Sequence, residues 1–99
     1  MKKDDKLVAA VKLVNEAIAV EYKRLEEVLK AEESEPIIIE GETTAGYYCQ
    51  LMVDPKDVAK IMLDYNYPVW RVLGEDAPDN MWEELGYKFG LTRVCSVDL

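Results

Sequence analysis

Apolar residues recur at steps of three and four over the first third of the chain, which is the spacing of one face of a helix. The pattern predicts a long helix over residues 4–33, with aspartates near its start and Pro36 just beyond its end. The apolar positions on this face are Leu7, Val11, Val14, Ile18, Tyr22, Leu25 and Leu29. A helix of this length is the main architectural feature that the sequence predicts.

The N-terminal half of this predicted helix is apolar on a second side as well. Ala9, Leu13 and Val20 lie well outside the first stripe when residues are placed at about 100° intervals. A helix that rests on one sheet needs only one apolar stripe, so the second stripe indicates a second covering element. That element is either another helix of the same domain or a second copy of the chain. The latter interpretation predicts a homodimer that self-associates through these three residues.

The rest of the chain alternates short apolar runs with turn and cap residues. Strands are predicted at about 36–40, 46–53, 67–73 and 92–98. Helices are predicted at about 55–65, where Asp54 and Pro55 form a start signal, and at about 78–85, with Gly86 as the end. The order αββαβαβ predicts a single α+β domain over residues 1–99, with a mixed sheet of about four strands.

Charge and hydropathy exclude some classes of function. Twenty acids against twelve bases give a net charge of −8, which repels phosphate backbones and anionic lipids, so neither direct nucleic-acid binding nor membrane binding is expected. No apolar run approaches the roughly 20 residues of a membrane-spanning helix. Asp4 and Asp5 lie where a targeting signal is normally basic. A soluble, cytoplasmic protein is therefore expected.

The residue types that most enzymes use are scarce. The chain has no histidine, so the commonest general base and metal ligand is missing. Cys49 and Cys95 are expected to be reduced, buried thiols, with a disulfide between them as the alternative. A reactive thiolate would need a neighbouring cation such as Arg71 or Arg93, and the apolar residues around both cysteines argue against one. No catalytic residue, cofactor or metal site is predicted, and enzymatic activity is not expected.

The segment GEDAPDNMWEELGY, residues 74–87, is the most distinctive part of the chain. Within it are five acids and no base before Tyr87: Glu75, Asp76, Asp79, Glu83 and Glu84. One interpretation is a solvated loop whose aspartates stabilise the start of the next helix. A second is a divalent-cation site built from oxygen ligands, although the spacing matches no EF-hand loop. The third is an acidic docking surface for a basic partner.

Aromatic residues near this segment favour the docking interpretation, because tyrosine and tryptophan commonly anchor protein interfaces. Tyr48 and Tyr67 are the tyrosines expected to be exposed. The predicted partner-binding residues are Glu75, Asp76, Asp79, Glu83, Tyr48 and Tyr67.

The sequence therefore predicts a small acidic, non-enzymatic binding protein that docks a basic protein partner. Such a protein would act as a regulator or inhibitor, for instance of a nucleic-acid-handling protein. One alternative is an oligomeric domain that binds a small molecule or a cation in a pocket at the strand ends near Asp54 and Glu75. The other is a purely structural subunit assembled through the first helix.

Overall fold

The long N-terminal helix is confirmed. The computed structural model describes residues 2–98, with side chains described from residue 5 onward, and α1 spans Lys2–Lys30. The helix ends three residues before its predicted end, where the Ala31 amide still donates to the Glu27 carbonyl (3.0 Å). The chain then straightens toward Pro36, because the ring of a proline disfavours helical backbone at the preceding residue.

A hairpin follows α1. β1, Ile37–Glu42, pairs antiparallel with β2, Tyr48–Val53. The Thr43 amide donates to the Tyr47 carbonyl (2.8 Å) across the turn, and Gly46 takes a positive φ of 82° there. The strand ends differ by one or two residues from the prediction, but the hairpin itself agrees with it.

α2, Pro55–Asp64, begins where the sequence predicts. The Asp54 carboxylate accepts a hydrogen bond from the Lys56 amide (3.0 Å), and Pro55 occupies the first turn, where no amide donor is needed. The chain leaves α2 through Asn66, which adopts the left-handed conformation (φ 55°). Both ends of this helix are therefore determined by local residues.

The predicted strand at 67–73 is wrong, because the segment forms helix α3, Tyr67–Leu73. Its valines and aromatic residues favour a strand locally, but residues that accept left-handed backbone bracket it, Asn66 before and Gly74 (φ 74°) after. Pro68 lies in the first turn, where it is tolerated. The Gly74 amide donates to the Arg71 carbonyl (3.2 Å) and so terminates the helix.

α4, Asp79–Phe89, continues past the predicted end at residue 85, and Gly90 (φ 74°) ends it. Gly86 lies inside the helix, where its missing side chain permits a close approach. A Cβ at this position would lie 2.6 Å from the Leu91 carbonyl oxygen. The Leu91 amide donates to the Gly86 carbonyl (2.7 Å), which holds the chain that leads into the last strand against α4.

The last strand, β3, Arg93–Val97, pairs antiparallel with the free edge of β1, giving the sheet order β2-β1-β3. The described residues thus form a three-stranded antiparallel sheet, which corrects the predicted mixed sheet of about four strands. The register shifts between Glu40 and Gly41, because Glu40 is opposite Ser96 whereas Gly41 is opposite Val94. Cys95 is the extra residue of this β-bulge.

The hydrophobic core joins the inner face of the sheet to α2 and α4. Its most deeply buried members include Ile39 of β1, Val58 of α2, and Met81 and Leu85 of α4, each fully buried. From α1 only Leu25 is classed as buried among the described side chains. The long helix therefore contributes little to the core relative to its length.

The outer face of the sheet is open to solvent. Tyr48 and Met52 are 58% and 74% exposed, whereas Leu51 and Val53 of the same strand face inward. This alternation is the one that the sequence predicts for β2. Over residues 2–98, no helix combines the length and the apolar character needed to cross a bilayer.

Candidate functional site

A groove with a volume of about 750 Å³ lies where α3, the loop 74–78, the start of α4 and β3 meet. Gly74 starts the loop with a left-handed turn, and Ala77 anchors it because its side chain is buried in the core. Glu75 and Asp76, which precede Ala77, remain exposed. The loop is therefore held in place at Gly74 and at Ala77. The two exposed residues between them, Glu75 and Asp76, form part of the groove.

Acidic side chains line this groove from two elements. Glu75 and Asp76 come from the loop, and Asp79 and Glu83 come from α4, one helical turn apart. All four are exposed to solvent. Glu84, the fifth acid of the segment, lies outside the groove and accepts a hydrogen bond from the Tyr65 hydroxyl, which raises the pKa of that tyrosine.

Two aromatic rings complete the acidic part of the groove. Tyr67 of α3 and Trp82 of α4 contact each other edge to face, with ring centroids 6.2 Å apart and planes at 79°. Both side chains are half-buried, so one part of each ring packs on the core and the rest lines the groove. Trp70 is oriented elsewhere, because its indole nitrogen donates to the Tyr65 carbonyl (2.8 Å).

Arg71 and Arg93 also line the groove. Arg71 pairs with Glu21 of α1 at 3.4 Å, and its side chain is 51% exposed. With four acids and two arginines the groove has a formal charge of −2 and is mixed in sign. The sequence pattern indicates these arginines only as cations that could lie beside a cysteine, because they reach the groove from two elements that are distant in sequence, Arg71 from α3 and Arg93 from β3.

Cys95 lies in the groove as well, and its side chain is exposed. The prediction that it is buried is therefore wrong, since the β-bulge removes it from the inward alternation of β3. Cys49 is half-buried and packs against the core, in agreement with the prediction. Both thiols are free, so the alternative of a disulfide between them is not supported.

Tyr48 does not line this groove. It lies on the open face of the sheet, where Glu40 accepts hydrogen bonds from Gln50 (2.8 Å) and Ser96 (3.1 Å). Hydrogen bonds from Tyr48, Gln50 and Ser96 lower the pKa of the Glu40 carboxyl, and the bond to Glu40 raises the pKa of Tyr48. The structure thus brings together five of the six predicted partner-binding residues and separates the sixth.

Glu40 and its hydrogen-bond donors Tyr48, Gln50 and Ser96 form what we call the Glu40 cluster. This cluster makes the stability of the sheet depend on pH. A carboxyl whose pKa is lowered by folding contributes stability above its unfolded pKa, and this contribution is lost as the pH falls through the folded pKa. We expect Glu40→Gln to lower the melting temperature slightly at pH 7, because the group is exposed to solvent. The difference from wild type should shrink as the pH falls below the ordinary pKa of a glutamate carboxyl and through its lowered folded pKa, because the protonated carboxyl then resembles the glutamine amide.

Thermal unfolding followed by circular dichroism across this pH range measures the effect. Glu32→Gln is the control, because it removes one charge from the exposed loop after α1 without touching the cluster. An equal pH dependence in both variants would show that the hydrogen bonds to Glu40 contribute nothing beyond net charge.

The described residues contain no group of three or more acidic or cysteine side chains placed to hold a metal ion. The acids of the groove are thus spread along it and do not converge on one point. Asp54 is absent from the residues that line the groove, since its carboxylate caps α2. The sequence predicts a pocket near both Asp54 and Glu75. In the structure Glu75 lines the groove, whereas Asp54 does not.

The predicted self-association residues lie on the N-terminal half of α1. Leu13 and Val20 are each 66% exposed, and Ala9 is exposed as well. The first stripe of the helix is also uncovered there, as the 65% exposure of Leu7 demonstrates. Over residues 5–13 no described element covers either stripe, whereas Val14 and Ile18 further along are half-buried, and self-association stays a prediction.

Fold and site together define a small α+β protein with an open, acidic and aromatic-lined groove. Comparisons of the chain with protein-family models, with curated proteins and with solved structures find no match.

Proposed function

We propose that the groove binds a basic segment of a partner protein and that the chain is a non-enzymatic binding protein, such as a regulator or an inhibitor. The observation that supports this most is that one groove is lined both by four acids, Glu75, Asp76, Asp79 and Glu83, and by the rings of Tyr67 and Trp82. Carboxylates and aromatic faces are the two surfaces that attract a lysine or arginine side chain.

The arrangement suits a long cationic side chain better than a point charge. The aliphatic stem of lysine or arginine packs on aromatic surface while its charged head remains near carboxylates and water. The two rings supply the apolar surface, and the four acids lie on the loop and helix beside them. Because Arg71 and Arg93 share the groove, a partner that carries an acid beside its basic residues fits better than a uniformly basic one.

Electrostatic attraction gives such a groove an effect on the rate of binding. The chain has a net charge of −8, and a field of one sign steers oppositely charged partners toward the surface. Individual exposed ion pairs contribute only about 0.2–1 kcal/mol each. The acids are therefore expected to determine how fast a partner binds, and the rings how long it stays.

Charge reversal of the groove tests the proposal. We expect the triple variant Glu75→Lys, Asp76→Lys and Asp79→Lys to slow association of a labelled Arg- and Lys-rich peptide by about tenfold or more at low salt. Wild-type binding should also weaken steeply between about 50 mM and 500 mM NaCl, because salt screens exposed charges. Stopped-flow fluorescence anisotropy measures the association rate of the peptide for both proteins and its dependence on salt.

The matched control is Glu32→Lys, Glu33→Lys and Glu35→Lys, which changes the net charge equally but outside the groove. This control lowers the overall field but leaves the groove intact, so it should slow association much less than the groove variant. Equal slowing in both triple variants would mean that only net charge matters and that the groove is not the binding site. Absence of any binding to wild type at low salt would contradict the proposal altogether.

A small organic cation is the second candidate ligand, because a volume of about 750 Å³ falls within the range of small-molecule pockets. Such a cation would contact the same carboxylates and aromatic rings as a basic side chain of a partner protein. Thermal-shift assays with small cations distinguish the two candidates, since a small ligand that fills the groove should raise the melting temperature without any peptide.

A further inference from the structure

The N-terminal half of α1 extends away from the rest of the molecule. A helix of 29 residues is about 43 Å long, and the molecule measures 58 × 32 × 17 Å. Its radius of gyration is 16.2 Å, against about 13 Å for a compact domain of this size. Polar contacts join the second half of α1 to the body: the Tyr22 hydroxyl donates to the Asn66 side-chain oxygen (2.9 Å), and the Arg71 guanidinium donates to the Glu21 carboxylate (3.4 Å).

The uncovered half carries the same apolar stripe that packs on the body further along. Leu7, Val11, Val14 and Ile18 lie on the side of α1 that also bears Leu25, which is buried. We call the first four of these the core-side stripe. Leu7 and Val11 are 65% and 51% exposed.

At Leu7 and Val11 the core-side stripe therefore continues beyond the body as an exposed surface, whereas Val14 and Ile18 nearer the body are half-buried. We call the residues on the other side of the helix, Ala9, Leu13 and Val20, the outer stripe. The core-side stripe has a large apolar residue on every turn from Leu7 to Ile18, whereas the two large residues of the outer stripe, Leu13 and Val20, lie two turns apart, so the first is the more continuous apolar surface.

We propose that a second copy of the chain covers the core-side stripe, with the N-terminal halves of the two α1 helices packed antiparallel. The two segments have equal length and present identical stripes, which is what a two-fold symmetric interface requires. An overlap of about 25 Å buries on the order of 1,000 Å² in total, near the lower end for specific interfaces. The dimer is therefore reversible.

The charge distribution favours a second copy of the chain as the partner and an antiparallel orientation of the two α1 helices. Residues 2–12 carry four bases and two acids, whereas residues 31–98 carry fourteen acids and five bases, a net −9. A parallel pair would bring two strongly acidic bodies together. An antiparallel pair separates them and places the basic end of each helix beside the acidic body of the other copy.

Analytical ultracentrifugation over a concentration series tests the inference. Wild type is expected to rise from the monomer mass of 11.3 kDa toward twice that value. The variant Leu7→Glu with Val11→Glu should stay monomeric at every concentration, and its melting temperature should match that of wild type at concentrations where wild type is also monomeric, because both side chains are exposed in the monomer. The matched variant Leu13→Glu with Val20→Glu adds two glutamates to the outer stripe and should dimerise like wild type.

A wild type that is monomeric throughout would overturn the proposal. Loss of the dimer in the outer-stripe variant, alone or together with the core-side variant, would overturn the assignment to the core-side stripe. Salt distinguishes the two orientations: raising NaCl from about 50 mM to 500 mM should weaken an antiparallel dimer severalfold, because it screens the attraction between helix end and body. A dimer that strengthens with salt would rule out the antiparallel arrangement.

Discussion

Replacing Gly86 with alanine is expected to destabilise the protein, although the same change usually stabilises a helix. Alanine exceeds glycine in helix propensity by about 1 kcal/mol, but its Cβ would lie 2.6 Å from the Leu91 carbonyl oxygen. A backbone oxygen cannot rotate away as a side chain does, so the chain before β3 must move. We expect a net loss of about 2 kcal/mol in the free energy of unfolding, which lowers the melting temperature by roughly 10 °C.

Gly46→Ala is the matched control, because it also adds one methyl group to a glycine. Gly46 has nothing within 4 Å of its added Cβ, so only the strain of its positive φ (82°) opposes the change. That strain costs roughly 1 kcal/mol. Calorimetry of both variants decides the question, and a Gly86→Ala protein as stable as wild type would show that α4 and the Leu91 backbone are not held together tightly.

Replacing Trp82 with alanine is expected to have the largest effect on partner binding. Its ring is the largest side chain of the groove, and Tyr67 holds it edge to face at 6.2 Å. Central aromatic residues of this kind often contribute at least 2 kcal/mol to binding, which corresponds to a dissociation constant roughly thirtyfold weaker. Isothermal titration calorimetry with the Arg- and Lys-rich peptide, carried out on wild type and on the variant, measures this loss of affinity.

Truncating Trp82 also removes packing, so two controls separate binding from folding. Trp82→Phe keeps a ring against Tyr67 and should retain most of the affinity. Trp70→Ala removes the other tryptophan, which lies outside the groove and donates to the Tyr65 carbonyl. If Trp70→Ala weakens binding as strongly as Trp82→Ala, the loss reflects general destabilisation and the role assigned to Trp82 is wrong.

Much of the fold is predictable because local signals determine it. The stripe of α1, the hairpin with Gly46 in its turn and the Asp54 cap of α2 each depend on residues close together in the sequence. α3 is the exception, since its valines and aromatic residues favour a strand and only Asn66 and Gly74 indicate a helix between them. Once this segment is a helix, no fourth strand remains for a mixed sheet.

The groove residues that lie close together in the sequence are predictable, whereas those that come from distant elements are not. Glu75, Asp79 and Tyr67 are brought together largely because they lie within one short stretch of chain. Arg93 reaches the groove from β3, and no local pattern indicates which element β3 will face. The alternation of β2 correctly predicts that Tyr48 is exposed, but it does not tell which part of the surface the exposed face belongs to.

NMR of isotope-labelled protein titrated with the Arg- and Lys-rich peptide tests most directly whether the groove binds a basic partner. Binding in the groove predicts that the indole N–H signal of Trp82 and the amide signals of Glu75, Asp76 and Arg93 shift together in a saturable way, while the indole signal of Trp70 stays in place. Shifts confined to the open sheet face around Tyr48 and Met52, or to α1, would contradict it.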